Sequence, residues 1–385
     1  MTRRSILAMA AAAAIALAGC SSAPQPSASV SPSESPAPSG SVGPSEPLTT
    51  IRVQLSGPID AEFAGYIAAQ NLGYYAAEGL DVQLVPAPTS GDPVSIGAAS
   101  NGPEFTIATV PQVLAAREKG SDLVDIAQVF QRSGTIVATL SSSSLSGPCD
   151  LKGKRVGTWP PPADLEVTSM LGSCDLKPGT GYTAVQVAPE DVTGLLDESL
   201  AGTEVEVYDG YARILEATNP ATSKQYTTDD VVTFDPADYQ SNVLQDAVFA
   251  RSAWLDATGN GDTASSFLSA VVKGWVYCRD HQEDCVQFTV KAGSGLGTTH
   301  QRWMLNEVNA LIWPSSPAFG ELDAVQWQRT IDVTLNAGLI TKRPGTEAFD
   351  DTWLQQATGE LIVGGMDLTA ASFQKLVVAV APGGK

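Results

Sequence analysis

The side chains best suited to catalysis or metal ligation are scarce in this chain and poorly spaced for either. There are two histidines, His281 and His300, and five cysteines. So few histidines leave little room for a His-based metal site or an acid–base dyad. Apart from Cys20 near the N-terminus, the cysteines are Cys149, Cys174, Cys278 and Cys285. Their spacings are not the paired C-x-x-C elements that hold zinc, whereas an oxidising compartment lets them form two disulfides in three alternative pairings. Pairing within local segments predicts Cys149–Cys174 and Cys278–Cys285. No metal and no cofactor is expected. Charge is strongly acidic, with 42 Asp and Glu against 22 Lys and Arg and a formal net charge of −20. That balance offers no footprint for a phosphate backbone and excludes nucleic acid as an expected partner. The inventory favours binding over catalysis.

Cys20 belongs to a different chemistry. Arg3 and Arg4 precede an alanine-rich apolar run, Ile6–Leu17. Twelve helical residues rise about 18 Å, short of the ~30 Å hydrocarbon core, so the run reads as a signal segment rather than a span. It ends in Leu17-Ala18-Gly19-Cys20, which resembles a bacterial lipobox. Residues 1–19 would then be removed and Cys20 lipidated; the paired arginines are only a weak match to a twin-arginine export signal. Residues 20–48 read as a disordered tether, since Ser21–Pro47 holds ten serines and seven prolines and cannot bury enough surface to offset its chain entropy. The expected location is the extracytoplasmic face of the cell membrane, held by the lipid alone.

Any binding groups must be positioned by the remaining ~340 residues, which suit two domains. Short β-branched runs alternate with helical patterns, the signature of α/β units around largely parallel sheets. Strands are expected at Ile51–Leu55, Asp81–Val85, Phe105–Thr109, Val124–Phe130 and Thr135–Leu140. A second set is expected at Lys154–Thr158, Val185–Val187, Val205–Tyr208, Val231–Phe234 and Ala247–Ala250. Helices are expected through Phe63, Tyr66 and Ile67 to a stop near Gly73 and over Pro111–Lys119, Asp164–Leu171, Glu190–Leu200 and Gly210–Ala217. The chain then turns strongly helical, over Thr263–Tyr277, Asp284–Val290, Thr299–Leu311 and Val325–Ala337.

Several segments carry a family resemblance. "AEFAGYIAAQNLGYYAAEGLDVQLVP" (Ala61–Pro86), "PQVLAAREKGSDLVDIAQVFQRSG" (Pro111–Gly134), "DLKGKRVGTW" (Asp150–Trp159), "KGWVYCRDHQEDCV" (Lys273–Val286) and "HQRWMLNEVNALIWP" (His300–Pro314) resemble, in order, solute-binding proteins of the NMT1/THI5-like group. That group is related to the sulfonate- and nitrate-binding proteins of ABC importers. The resemblance implies a type II periplasmic-binding fold, two α/β lobes joined by two crossing strands with the ligand between them. Lobe one is placed at residues 49–139 plus 250–385 and lobe two at 140–249, with the crossings near Thr135–Leu140 and Ala247–Arg251. ABC permease and ATPase subunits are the implied partners of a monomeric binding protein.

In such a fold the ligand lies at the carboxyl ends of the strands, where strand-to-helix loops converge. Those loops nominate Asp60 and Glu62 after the first strand, Thr109 after the third and Gln131 after the fourth. In lobe two they nominate Trp159, Asp164, Glu166, Tyr208, Asp209 and Tyr211. An aromatic slot edged by carboxylates suits a planar heterocycle carrying amino groups. Pro160-Pro161-Pro162 withholds three backbone N–H groups where a small oxyanion would need them. Sulfonate, nitrate and taurine therefore rank below a thiamine-pyrimidine precursor, with riboflavin as a larger flat alternative. Arg132 is the one evident cation among these loops. Phe63, Tyr66, Trp275, Trp303, Trp313 and Trp327 read as core, and His281 and His300 as surface or capping residues. Eukaryotic relatives synthesise the thiamine pyrimidine with a histidine and a cysteine-rich motif; neither histidine falls in a cleft loop here, so an enzyme is not expected.

Overall fold

The computed structural model describes residues 47–89 and 91–385. The expected signal segment, Cys20 and nearly all of the expected tether lie outside them. The strands are β1 (Thr49–Gln54), β2 (Leu80–Val85), β3 (Phe105–Ala108), β4 (Leu123–Gln128), β5 (Thr135–Leu140), β6 (Arg155–Thr158), β7 (Thr183–Gln186), β8 (Gly202–Glu206), the short pair β9 (Thr218–Asn219) and β10 (Lys224–Gln225), β11 (Val231–Phe234) and β12 (Ala247–Arg251). The helices are α1 (Ala64–Asn71), α2 (Tyr74–Ala77), α3 (Pro93–Ala98), α4 (Val110–Glu118), α5 (Leu165–Gly172), α6 (Thr193–Leu196), α7 (Gly210–Glu216), α8 (Ser252–Leu255), α9 (Asn260–Asp280), α10 (Gln282–Ala292), α11 (Thr298–Ile312), α12 (Ala324–Asn336) and α13 (Thr352–Val363).

Two five-stranded mixed sheets result, ordered β2-β1-β3-β12-β4 and β11-β5-β8-β6-β7. In the first, β1 runs parallel to β2 and β3, while β12 is antiparallel to β3 and β4. In the second, β6 runs parallel to β7 and β8, while β5 is antiparallel to β8 and β11. Alternation along the strands feeds both faces. Val248 and Ala250 enter one core cluster and Ala247 and Phe249 another, just as Ile136 and Val137 divide between the clusters flanking the second sheet. Sheets covered on both sides read as continuous apolar runs, which is why β4, β5 and β12 are buried at every residue.

The strands expected to cross between lobes are ordinary sheet members, β5 of the second sheet and β12 of the first. The crossings fall just ahead of them, at residues 129–134 and 235–246, so residues 135–139 sit with the second lobe. The helix expected over Glu190–Leu200 shrinks to α6, because Asp191 and Asp197 close side-chain turns onto Thr193 N and Ser199 N and compete with helical pairing. The helices α2, α3, α8 and α13 are additions to the sequence reading.

Helix α1 crosses α9 at a point where both backbones come close. A Cβ on Gly274 would lie 2.1 Å from Gly65 O, and one on Gly65 would lie 2.2 Å from the Trp275 ring. Both local disulfides are formed, with Cα separations of 5.3 Å for Cys149–Cys174 and 5.5 Å for Cys278–Cys285. The first ties the turn before β6 to the end of α5; the second closes the corner between α9 and α10. The apolar C-terminal stretch is a strap: Phe319 N donates to Leu368 O, Asn306 bonds Leu376, and Gln225 Nε2 reaches Val380 O beside the second sheet.

Candidate functional site

The parallel strands of each sheet deliver their carboxyl ends to one cavity of about 780 Å³, within the range that holds a small organic ligand. After β1, Asp60 opens a 3-10 turn by accepting from Glu62 N at 3.0 Å, and Gln301 Oε1 on α11 accepts from Ala61 N at 2.8 Å. These bonds present Asp60 and Glu62 to the cavity. Ser56 Oγ lies 3.1 Å from Glu62 Oε1 and 3.4 Å from Asp246 Oδ2, yet one hydroxyl proton serves only one carboxylate. Asp246 sits in the second crossing segment, pinned where Phe130 N donates to its carbonyl. Burial pushes Asp60 up to about 7 and Asp246 up to about 6, and burial together with Asp246 and Asp60 holds Glu62 well above its usual range.

The opposite wall comes from β6 and β8. Trp159 N donates to Glu204 Oε2 at 2.8 Å, fixing the loop after β6, while the indole Nε1–H has no acceptor. Trp159 is 6% exposed. Glu204, Glu206 and Tyr208 follow at alternate positions; Glu206 and Tyr208 line the cavity and Glu204 anchors its rim. Glu206 Oε2 is buried without a partner. Burial, then the charges of Glu166 and Asp246, keep its carboxyl well above the ordinary range.

Not every expected acceptor is free. Glu166 lines the cavity but accepts from Ser133 Oγ, Val243 N and Gln245 Nε2 at 2.9–3.1 Å, so it braces both crossing segments; burial lifts it to about 7. Gln245 completes that brace by accepting from Gly134 N and donating to Thr135 Oγ1, both at 2.8 Å. Asp209 also reaches the cavity, but pairs with Arg213 at 2.6 Å and His300 at 3.0 Å.

His300 departs furthest from the sequence reading. It is buried, with Nδ1 2.8 Å from Glu216 Oε1 on α7. Burial works against its charge, yet the carboxylates of Asp209 and Glu216 beside it raise it to about 9. A protonated His300 thus links α11 to α7. His281 does lie at the surface, stacked on Tyr277 with ring centroids 4.3 Å apart.

Seven nominated residues meet at the cavity: Asp60, Glu62, Thr109, Trp159, Glu166, Tyr208 and Asp209. Three do not line it. Gln131 turns inward and donates to Gln128 O and Glu321 O. Asp164 stands half-buried at the start of α5. Tyr211 packs against Trp303, centroids 6.0 Å apart. Arg132 is spent on carbonyls of Ala310, Leu311 and Pro314. Glu206 and Asp246 were missed. Period-two spacing from Glu204 to Tyr208 could have revealed the first; Asp246 lies in irregular chain with no local signal.

A sequence model described as NMT1/THI5 like matches residues 60–285, more than half of the chain. The chain belongs to the NMT1/THI5-like family. No curated protein matches it. Solved structures similar to this NMT1/THI5-like chain include a ligand-binding component of an ABC-type import system from Staphylococcus aureus with zinc bound, at TM-score 0.58 and 13% identity over 80% of this chain and 99% of that one. The periplasmic aliphatic sulphonate-binding protein SsuA from Escherichia coli gives TM-score 0.56 and 15% identity, over 76% and 89%. The periplasmic nitrate-binding protein NrtA from Synechocystis gives 0.52 and 16%, over 84% and 92%. The shared architecture is the periplasmic binding protein fold. Among the described residues of the NMT1/THI5-like chain, no cluster of three or more His, Cys, Asp or Glu is arranged to hold a metal ion, and no helix is long and apolar enough to cross a membrane.

Proposed function

We propose that this NMT1/THI5-like chain is a lipid-anchored, extracytoplasmic substrate-binding protein that delivers a small planar heterocycle bearing amino groups to an ABC importer, acting as a monomer and not as an enzyme. The observation that carries the ligand class is the wall of the cavity. Trp159 and Tyr208 offer aromatic surface, Glu62, Asp246 and Glu206 offer acceptors, and Arg213, the only basic side chain among the described lining residues, is already paired with Asp209. Flat rings and N–H donors suit such a wall. The sulphonate and nitrate in the names of the structural neighbours would face carboxylates here, with Pro162 at the lobe-two rim withholding an N–H. A thiamine-pyrimidine precursor fits this description, and lipidation at Cys20 would place the protein at the membrane.

The test is direct binding. 4-Amino-5-hydroxymethyl-2-methylpyrimidine should quench tryptophan fluorescence and raise the melting temperature, with a linkage gain of about 2.7 kcal/mol at a hundredfold excess over Kd. Trp159→Ala should weaken binding by roughly thirtyfold or more through lost stacking and buried area. A clear response to taurine or nitrate that survives in Trp159→Ala would refute the ligand class.

A further inference from the structure

The acids of the cavity are not merely numerous. Glu62 and Asp246 lie against one another beside a single hydroxyl, close enough to share a proton, and Glu206 adds a carboxyl oxygen with no partner. On the same wall, nine-tenths buried Trp159 holds an indole N–H with no acceptor. Unpaired buried polar groups are costly, so a site that keeps an acceptor on Glu206 and a donor on Trp159 unpaired is complete only with an occupant that supplies their partners. We propose that the ligand is a flat organic cation that sets its positive charge against Glu62, Asp246 and Glu206 and offers a hydrogen-bond acceptor to Trp159. This rests on the cavity being the ligand site and narrows the substrate class from amino-bearing heterocycles to positively charged ones.

The groups around the pair reinforce the same sign. Asp60 faces it from its own loop, Glu206 and Tyr208 from the end of β8, and Tyr66 from α1; Asp209 and His300 act on Asp60 from behind. His300 is neutralised by Asp209 and Glu216, and Arg213 by Asp209, leaving net negative charge in a partly desolvated space. Empty, the acids relieve that repulsion by retaining protons: Asp246 is lifted to about 6 and Asp60 to about 7, chiefly by burial. An incoming cation favours the ionised carboxylates and expels those protons. Its affinity must therefore rise with pH.

Charge can be isolated with matched probes. 1-Methylnicotinamide and nicotinamide share a ring and a carboxamide acceptor but differ in charge; thiamine and its uncharged pyrimidine alcohol form a second pair. Titration calorimetry on the folded protein should show at least one cation binding about tenfold or more tighter than its neutral partner. That cation's affinity should rise about tenfold between pH ~5.5 and ~8, with protons released in proportion to buffer ionisation heat. The double variant Glu62→Gln, Asp246→Asn should bring charged and neutral partners towards parity while raising the melting temperature of the empty protein. The wild-type comparison stands even if that variant fails to fold. Neutral probes that bind as well as the cations, a flat pH profile, or silence towards both cations overturns the assignment. Binding of the uncharged pyrimidine alone would do so while leaving the heterocycle-importer reading intact, whereas binding of taurine would remove both.

Discussion

Replacing His300 by Gln tests whether one ionised histidine joins the helical layer of the first lobe to α7 of the second. In the wild type, Nδ1 is 2.8 Å from Glu216 Oε1 and Nε2 is 3.0 Å from Asp209 Oδ1. These contacts outweigh burial and raise the imidazole from 6.5 to about 9. A raised folded-state value means that the stability is fully present below the unfolded value and is lost as pH climbs through the folded one. The shift corresponds to about 3 kcal/mol at low pH, falls to roughly 2–3 kcal/mol at pH 7 and about 1 kcal/mol at pH 8, and vanishes near pH 10. For roughly 340 cooperatively melting residues, an unfolding entropy near 0.7 kcal/mol/K converts the neutral-pH figure to about 3–4 °C. The assay is thermal unfolding of wild type and His300→Gln from pH ~6 to ~10. The gap between the two curves should be widest at the acid end and close through pH ~9. A gap that does not change with pH, or no gap at pH 7, would refute an ionised link and reduce His300 to packing.

Two further outcomes follow from local geometry and sequence. Gly274→Ala should destabilise the protein by about 1–3 kcal/mol, because its Cβ would meet Gly65 O at 2.1 Å; chemical denaturation measures this, and an unchanged midpoint would show that α1 and α9 can part cheaply. Cys20→Ala should leave folding intact but release the protein from membranes on fractionation, whereas continued sedimentation would point to an anchor other than the lipid.

Local chemistry determined much of this protein. Strand and helix positions followed from apolar periodicity, since β-branched runs and 3.6-residue patterns report the local environment directly. The pairings Cys149–Cys174 and Cys278–Cys285 followed because each joins neighbours in the chain. Residues that open strand-to-helix loops, such as Glu62, Trp159 and Tyr208, could be nominated because the fold places those loops at the strand ends. Only the tertiary structure decided which nominees are free to bind. Glu166 and Asp209 hold acceptor groups at the right place, but Gln245 and Ser133 occupy the first and Arg213 and His300 the second. Those partners come from both near and distant parts of the chain, and no local pattern records whether a carboxylate has been neutralised. The same holds for His300, which looked like a capping residue until α7 and the residue just before it supplied two acids, and for Asp246, brought opposite Glu62 across 184 positions of chain. A side chain's type and its place on an element are written locally. Whether its charge is paired, shared or left for a ligand depends on what folding carries next to it.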